Sequence, residues 1–294
     1  MPPLLIRSAS DLVTSHRAVC EGFLSQALSK TIRATPFVES AVKLHDVLVS
    51  VKDAASSADI REIQNELVAA AGFSDKARAH LSQEELRSAL KNVLTQIAEK
   101  ASRDWREEIV YRYLLTRGDS LGGTMRNVTG AIAGRQLADA ILTALEEKHI
   151  TPKVHAEGEK IQSVQWPGRM LLFDKKSELV AKSVDVILLT VSDPRKQSAE
   201  LLLYAGNYIA CGELKGGIDP AGADEHWKTA NSALGRIRQK FKGKGPALFF
   251  VGAAIEAGMA EEIFSQIQDG RLIYAANLTV LEQVRDLARW IVNL

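Results

Sequence analysis

Residues 211–230 read CGELKGGIDPAGADEHWKTA, and this stretch joins an apolar segment to a helix-like one across a turn rich in glycine. The apolar segment, NYIACGELK at residues 207–215, predicts a β-strand. Alternate side chains of a strand point to opposite faces, so Glu213 and Lys215 share one face while Leu214 points into the core. A charged side chain on an apolar strand is costly unless it is paired, and this pair therefore indicates either a strand-edge ion pair or a site.

The second half of the chain continues in the same manner. Short apolar stretches bounded by Gly, Pro, Asp or Lys predict strands. They are RMLLFD (169–174), SVDVILLTV (183–191), NYIACGELK (207–215), PALFFVGAA (246–254) and RLIYAANL (271–278). Helical patterns follow at residues 223–241, 257–268 and 279–294. Strands alternating with helices predict a mixed sheet flanked by helices.

The first half predicts helices instead. Apolar residues recur at helical spacing in segments 10–30, 35–51, 82–101, 104–118 and 127–148. Ser82 followed by Glu85 forms the capping box that starts a helix. The predicted fold class is therefore α/β (α+β): a mainly helical region over residues 1–150, then an α/β domain with a mixed sheet over residues 151–294. The boundary is expected in the segment KHITPKVHAEGEKIQ at 148–162, interpreted as a linker.

Composition narrows the class of protein. The 294 residues carry a formal net charge of +1, so no basic field covers the whole molecule, although a local positive cleft would suffice to bind nucleic acid. Cys20 and Cys211 are the two cysteines, which excludes a disulfide framework and fits a reducing compartment. The sequence lacks a signal peptide and any run of about eighteen apolar residues. We therefore expect a soluble cytoplasmic protein without a membrane partner.

An acid on the preceding predicted strand extends the charged pair. If the two strands are neighbours, Asp185 and Glu213 converge on one divalent cation, and hard oxygen ligands suit Mg²⁺. Lys215 would then stand beside the metal, where it can orient a water or neutralise charge on a phosphate. An acid followed by acid-x-lysine is the pattern of the PD-(D/E)xK nucleases. It also arises by chance in chains of this size, so ordinary strand-edge charges are the alternative.

Longer stretches make the pattern more specific. Residues 212–230 (GELKGGIDPAGADEHWKTA), 6–41 and 114–127 (LLTRGDSLGGTMRN) resemble the AvaI/BsoBI family of type II restriction endonucleases, and the resemblance spans most of the chain. It implies a homodimer that surrounds double-stranded DNA, with a helical region for DNA binding and dimerisation and an α/β catalytic domain. It also implies a Mg²⁺ requirement and cleavage of both strands at a palindrome of the type CYCGRG.

The resemblance assigns roles to the charged cluster. Asp185, Glu213 and the backbone carbonyl of Leu214 would be metal ligands, and Lys215 the catalytic lysine. The proline that usually precedes the first acid is absent, since Val184 stands there. His226 matches a histidine of the family's site, and its imidazole would accept a proton from the attacking water, directly or through Lys215. The alternative for His226 is a capping or surface histidine.

Other residues are candidates for DNA contact. Asp219 can accept a hydrogen bond from a cytosine amino group, although Asp-Pro before Gly is also a good turn initiator. A basic loop between helices is predicted around Gly122 and Gly123, with a plain helix-joining turn as the alternative. The arginines of this loop, expected to reach phosphates or guanines, are Arg112, Arg117 and Arg126. Lys228 and Arg236 are expected to contact DNA from the following helix, whose basic end is otherwise simply solvated.

The sequence thus predicts a type II site-specific endonuclease. A repair or structure-selective nuclease on the same core is the rival within enzymes. A non-catalytic DNA-binding protein with a decayed nuclease core is the rival outside them.

Overall fold

The computed structural model describes residues 5–158, 160–193, 195–242 and 245–294, except the side chains of Asp75 and Arg126. The chain forms two compact units. The helical unit consists of residues 25–125, and the sheet unit combines the residues up to Leu24 with residues 126–294.

Helices make up most of the helical unit and cover the sheet in the other. Those within the described ranges are α1 (His16–Val49), α2 (Ala54–Ser57), α3 (Gln64–Ala70), α4 (Asp75–His80), α5 (Gln83–Lys100), α6 (Trp105–Glu146), α7 (Ser198–Leu201), α8 (Ala223–Lys240), α9 (Ala257–Gln268) and α10 (Leu281–Asn293). Short 3-10 turns lie at Ala9–Leu12, Arg61–Ile63, Ala205–Asn207 and Pro220–Gly222. The helices predicted at 10–30 and 35–51 are largely one helix, α1, with Pro36 inside it.

One sheet of seven strands forms within the described residues, in sequence order from one edge to the other. The strands are β1 (Lys153–Glu157), β2 (Lys160–Trp166), β3 (Arg169–Ser177), β4 (Lys182–Thr190), β5 (Tyr208–Lys215), β6 (Ala247–Gly252) and β7 (Tyr274–Asn277). Neighbours from β1 to β5 are antiparallel, whereas β5, β6 and β7 run parallel. The mixed sheet and its five predicted strands are confirmed.

The segment predicted as a linker is instead a β-hairpin. Strands β1 and β2 occupy most of it, with Gly158 at a φ of 58° in the turn between them. All five residues of β1 are exposed, so Val154 and Ala156, which alternate with polar residues along the strand, form no buried apolar face. Its pairing with β2, rather than its own side chains, makes it a strand.

Two cores cover the sheet, one on each face. Leu137 and Ile141 of α6 pack on one face together with Leu287 of α10. On the other face lie α8 and α9, and Trp227 of α8 meets Phe250 edge-on at 5.1 Å between ring centroids. Burial of each large apolar side chain stabilises the fold by about 1.5–3 kcal/mol. Both faces are therefore covered, as expected for a sheet in which β5, β6 and β7 run parallel.

The compact units divide the chain at residues 24/25 and 125/126, whereas the change from helices to strands comes near residue 150. The difference arises because the second half of α6 belongs to the core of the sheet unit through residues such as Leu137 and Leu145. The functional division, with DNA binding and dimerisation in residues 1–150 and catalysis in residues 151–294, stays a prediction.

The prediction of a basic loop around Gly122 and Gly123 was wrong. These residues lie inside α6, which runs without a break from Trp105 to Glu146. Each helical glycine costs about 1 kcal/mol relative to alanine, but apolar contacts at both ends of α6 outweigh that local cost. Ile109 is buried in the helical unit's core and Ile141 in the sheet unit's core.

The helical unit has its own core, to which α1 contributes Leu44 and Leu48 and α5 contributes Leu90. The capping box at the start of α5 is confirmed. The Ser82 amide donates to Glu85 Oε2 at 2.8 Å, and the Glu85 amide donates to Ser82 Oγ at 3.3 Å. No helix within the described ranges is long and apolar enough to cross a membrane.

Replacement of Gly212 tests how closely the central strands pack. A Cβ at this position would overlap the Phe249 ring on the adjacent strand β6. We expect Gly212→Ala to lower the free energy of unfolding by about 1–3 kcal/mol, as overpacking of a core does. Gly235→Ala in α8, where no atom lies within 4 Å of the new methyl, should instead leave stability equal or slightly raised. Urea unfolding followed by circular dichroism measures both, and equal midpoints would contradict the prediction.

Candidate active site

Strands β4 and β5 bring the predicted acids together. The strands are antiparallel neighbours with Val186 opposite Gly212. Asp185 and Glu213 each lie one residue further along, so the condition on which the sequence prediction depended is met. Asp185 and Glu213 are thus brought close by the pairing of two strands and not by their spacing in the sequence.

Lys215 binds both acids. Its Nζ lies 2.8 Å from Asp185 Oδ2 and 2.8 Å from Glu213 Oε2. Asp185 Oδ2 also accepts a hydrogen bond from the Leu214 amide at 2.9 Å. The exposed fraction of the side chain is 4% for Glu213, 20% for Lys215 and 30% for Asp185, so the cluster opens to solvent on the Asp185 side. This is not a solvated strand-edge pair.

Burial sets the electrostatics of the cluster. Burial, followed by the negative charge of Asp185, raises the pKa of Glu213 to about 7. Burial acts to lower the pKa of Lys215, but the charges and hydrogen bonds of Asp185 and Glu213 outweigh it, so that the net shift is upward. One ammonium group thus faces two carboxylates, and a further cation there would be stabilised.

The donor set fits a hard divalent cation. Two carboxylates and a backbone carbonyl are oxygen ligands of the kind that Mg²⁺ accepts, with further positions left for water. In the part of the chain that the structure describes, no three side chains of His, Cys, Asp or Glu converge on a common point. The predicted ligand set needs only two, Asp185 and Glu213, with the Leu214 carbonyl as the third oxygen. These three ligand roles stay predictions.

Close packing holds the segment that follows Lys215. The Ala253 amide donates to the Lys215 carbonyl at 2.8 Å. A Cβ on Gly216 would lie 2.7 Å from the Thr129 carbonyl oxygen of α6, and a Cβ on Gly22 of α1 would overlap Ile218. The glycines therefore permit two helices of the sheet unit to approach the end of β5. The position of Lys215 is set by backbone contacts on several sides.

His226 lies close to this segment. It is exposed in the first turn of α8, and a Cβ on Gly217 would lie 3.1 Å from His226 Nε2. The ring therefore packs against the backbone just after β5, which is compatible with the predicted role. Trp227 beside it is buried and donates its indole N–H to Glu262 at 2.7 Å, so this neighbour is structural.

Asp219 makes the turn contact that its sequence predicted. Its carboxylate accepts a hydrogen bond from the Ala221 amide at 3.0 Å and caps the 3-10 turn Pro220–Gly222. The side chain remains exposed. Base reading by Asp219 stays a prediction, with one oxygen engaged locally.

The candidate DNA contacts of α8 lie on its exposed surface. Lys228 forms an ion pair with Asp224 one turn earlier, and Arg236 is exposed further along the helix. Their contacts with DNA stay predictions.

The candidate contacts of α6 do not form one cluster of free arginines. Arg112 pairs with Glu108 at 2.9 Å. The Arg117 guanidinium lies over the rings of Phe37 and Tyr113, at 5.7 Å and 5.5 Å from their centroids. The side chain of Arg126 is outside the described part of the chain. DNA contact by these arginines, and by the backbone at Gly122 and Gly123, stays a prediction.

A cavity of about 620 Å³ in the sheet unit adjoins the charged cluster. Asp185 and Leu214 line it on one side, and Asn127 and Gly130 of α6 lie on another. Sequence reasoning missed two further lining residues, Lys160 and Asp174. Lys160 was hidden in the supposed linker, and Asp174 appeared only as the polar end of an apolar strand.

Comparison with known proteins agrees with this geometry. The family described as restriction endonuclease BsoBI matches residues 4–166 and 160–294. The chain belongs to the BsoBI restriction endonuclease family. The resemblance predicted from the catalytic segment is therefore confirmed over nearly the whole chain.

Relatives of this BsoBI-family chain align over almost their full length. The type II restriction enzyme BsoBI of Geobacillus stearothermophilus is 39% identical over 313 residues, covering 98% of this chain and 97% of the relative. The type II restriction enzymes AvaI of Nostoc sp. and of Anabaena variabilis are each 40% identical over 312 residues, with 98% of both chains covered.

The raised pKa of Glu213 predicts a pH dependence of stability without metal. The folded-state pKa of about 7 exceeds the ordinary value of 4.5, so the contribution of Glu213 is complete below pH 4.5 and is lost as pH rises to about 7. Relative to Glu213→Gln, the protein should lose about 3 kcal/mol of unfolding free energy across this window. Urea unfolding in EDTA at a series of pH values measures the difference.

A matched control uses an exposed acid of the same unit. Glu200→Gln should follow the unsubstituted protein at every pH. Parallel curves for the protein and Glu213→Gln would show that Glu213 titrates normally and would contradict the prediction.

Proposed function

We propose that this chain is a type II restriction endonuclease that cuts both strands of duplex DNA at a short palindrome of the CYCGRG type, by Mg²⁺-dependent phosphodiester hydrolysis. The observation that carries the proposal is Lys215 bound between Asp185 and Glu213 on neighbouring strands, beside a cavity, in a chain of this family.

Asp185, Glu213 and the carbonyl of Leu214 would hold the metal. When bound, Mg²⁺ supplies positive charge at the phosphate and acidifies water. The choice of Mg²⁺ rests on the oxygen donors, which suit it better than softer metals. Type II restriction enzymes in general need a divalent metal.

The side chains of the chain itself position and neutralise the substrate. The ammonium group of Lys215 stabilises the negative charge that develops on the phosphate during attack. His226 accepts the proton of the attacking water, directly or through Lys215, because imidazole can exchange a proton near neutral pH. The bond from phosphorus to the 3′ oxygen breaks, and this oxygen takes a proton from solvent water, so the products carry 5′-phosphates and 3′-hydroxyls.

DNA contacts outside the reacting atoms complete the proposal. Asp219 reads a base, since a carboxylate accepts from the cytosine amino group. The residues assigned to the phosphate backbone or to base edges are Arg112, Arg117, Gly122, Gly123, Arg126, Lys228 and Arg236. Compatibility with this role is clearest for Arg236, which is exposed on α8.

Removal of the Lys215 ammonium tests the catalytic assignment. Plasmid DNA incubated with the protein and Mg²⁺ should give discrete bands, and sequencing of the ends gives the site and cut position. Lys215→Ala should reduce the cleavage rate at least about 100-fold, because the charge at the phosphate is lost. The exposed Lys196→Ala should cut as the unsubstituted protein does. A Lys215→Ala protein that cleaves at the full rate would refute the role.

The same digestion separates the rival functions. A structure-selective nuclease would leave plain plasmid intact and cut branched or damaged duplexes. A non-catalytic DNA-binding protein would bind DNA equally with and without metal and would produce no nick across a metal series. Either result would overturn the proposed function.

We further propose that the protein acts as a homodimer. One face of α1 in the helical unit carries an apolar stripe, here called the α1 stripe, formed by Leu28, Ile32, Val38, Val42 and Val49. The exposed fractions of these residues lie between 54% and 72%. A helix has 3.6 residues per turn, so these positions fall on the side opposite Leu44 and Leu48, which fill the core.

A second copy of the chain is the occupant that best fits the α1 stripe. Large exposed apolar patches mark interfaces, and twofold dimers are the commonest oligomers. A twofold dimer also matches the symmetry of a palindromic target and supplies one active site for each strand.

A charge in the middle of the stripe tests the dimer. We expect Ile32→Glu to shift the mass measured by sedimentation from dimer to monomer, because a buried carboxylate without a partner opposes association. Nicked plasmid should then accumulate. Val154→Glu, at a similarly exposed apolar residue of β1 outside the stripe, should remain dimeric. An unsubstituted protein that sediments as a monomer would contradict the proposal.

A further inference from the structure

An ion pair on the wall of the active-site cavity has no role in the cluster around Lys215. Lys160 of β2 lies with its Nζ 2.6 Å from Asp174 Oδ2 of β3. Both residues line the same cavity of about 620 Å³ as Asp185. The basic side chain of Lys160 therefore lines the same cavity as Asp185, the predicted metal ligand.

The backbone at Asp174 is unusual. Its φ is 49°, in the left-handed region, although it lies within strand β3. On either side of it Phe173 pairs with Val186 and Lys175 with Val184, so Asp174 occupies the position opposite Asp185. Left-handed non-glycine residues are uncommon and cluster at functional sites. The distortion falls beside the predicted metal ligand.

The pair is held loosely enough to exchange partners. The side chains of Lys160 and Asp174 are 46% and 53% exposed, and exposed ion pairs contribute about 0–1 kcal/mol. A DNA phosphate is an equally good acceptor for the ammonium group, and its neutralisation also releases counterions. The phosphate can therefore displace Asp174 at little cost.

We propose that Lys160 binds a backbone phosphate of the DNA strand that is cut, flanking the phosphate at Asp185. Asp174 holds the ammonium group in the cavity until DNA displaces it. The proposal rests on the proposed function and adds a positioning contact to the same site. It places positive charge opposite the acids, where a DNA strand entering the cavity otherwise meets Asp185.

The salt dependence of DNA binding tests the contact. Binding of a duplex that carries the cut site is measured in EDTA over a series of salt concentrations. Lys160→Ala should weaken binding on the order of tenfold and lower the slope of log K against log salt by about 0.9, the value for one phosphate. Lys160→Arg should restore most of both. Lys176→Ala, which removes an exposed lysine of β3 paired with Glu178, should change neither.

Asp174→Asn should act in the opposite direction. Asparagine tolerates a positive φ, so the backbone is kept while the competing charge is removed. Binding should tighten by up to about fivefold, the strength of an exposed ion pair. The double variant Lys160→Ala/Asp174→Asn should lose this gain in DNA affinity, because the gain arises from release of the Lys160 ammonium group. If the ion pair serves only to hold β2 against β3, Lys160→Ala and Asp174→Asn would each lower the melting temperature. Neither variant would then change the slope of log K against log salt.

Each contrary result has a defined meaning. The proposal is overturned by an unchanged slope in Lys160→Ala, by an equal loss in Lys176→Ala, or by weaker binding or lost cleavage in Asp174→Asn. The proposed function stands or falls separately, since it requires only that the unsubstituted protein cuts DNA with Mg²⁺ and that Lys215→Ala does not.

Discussion

The ammonium group of Lys215, held at 2.8 Å from both Asp185 and Glu213, is the interaction on which the rest of the site depends. Glu213 is almost completely buried, and a charge in that position without a partner would be costly. The lysine makes the two acids tolerable at close range, but one positive charge cannot fully compensate both. The cluster therefore keeps uncompensated negative charge, and a divalent cation bound there would neutralise it.

The architecture of the sheet serves this cluster. The acids come from the antiparallel neighbours β4 and β5, whereas β5 and β6 run parallel. Strand β5 therefore lies where the pairing changes from antiparallel to parallel. Small residues then permit close approach around its end. Gly212 lies under the Phe249 ring, and Gly216 lies against the backbone of α6 at Thr129. Such packing fixes the backbone on both sides of Lys215. In the proposed catalytic role of Lys215, a fixed position would favour electrostatic stabilisation of a transition state.

Charged side chains of both signs line the cavity beside Asp185. The Lys160–Asp174 pair and the cluster around Lys215 lie on the same cavity, separated by adjacent strands of one sheet. A polyanion such as DNA needs positive charge along its path, but the 37 Lys and Arg residues of the chain are nearly balanced by 36 Asp and Glu, so the formal net charge is only +1. Under the proposed function, DNA would therefore be bound by locally placed cations such as Lys160 rather than by a basic field over the whole molecule.

The sequence by itself determined the fold class and the chemical core of the site. Short apolar stretches bounded by Gly, Pro, Asp or Lys predicted β3 to β7. Glu213 and Lys215, two residues apart on one strand, predicted their shared face, because alternation of side chains is a local property of the backbone. The family resemblance was likewise carried by local motifs. Tertiary structure alone decided what depended on distant partners. It made β1 a strand through pairing, kept α6 helical through Gly122 and Gly123 by packing its two ends in separate cores, and brought Lys160 and Asp174 to the cavity of Asp185. Local propensities are worth about 1 kcal/mol or less per residue, and burial and strand pairing summed over an element outweigh them.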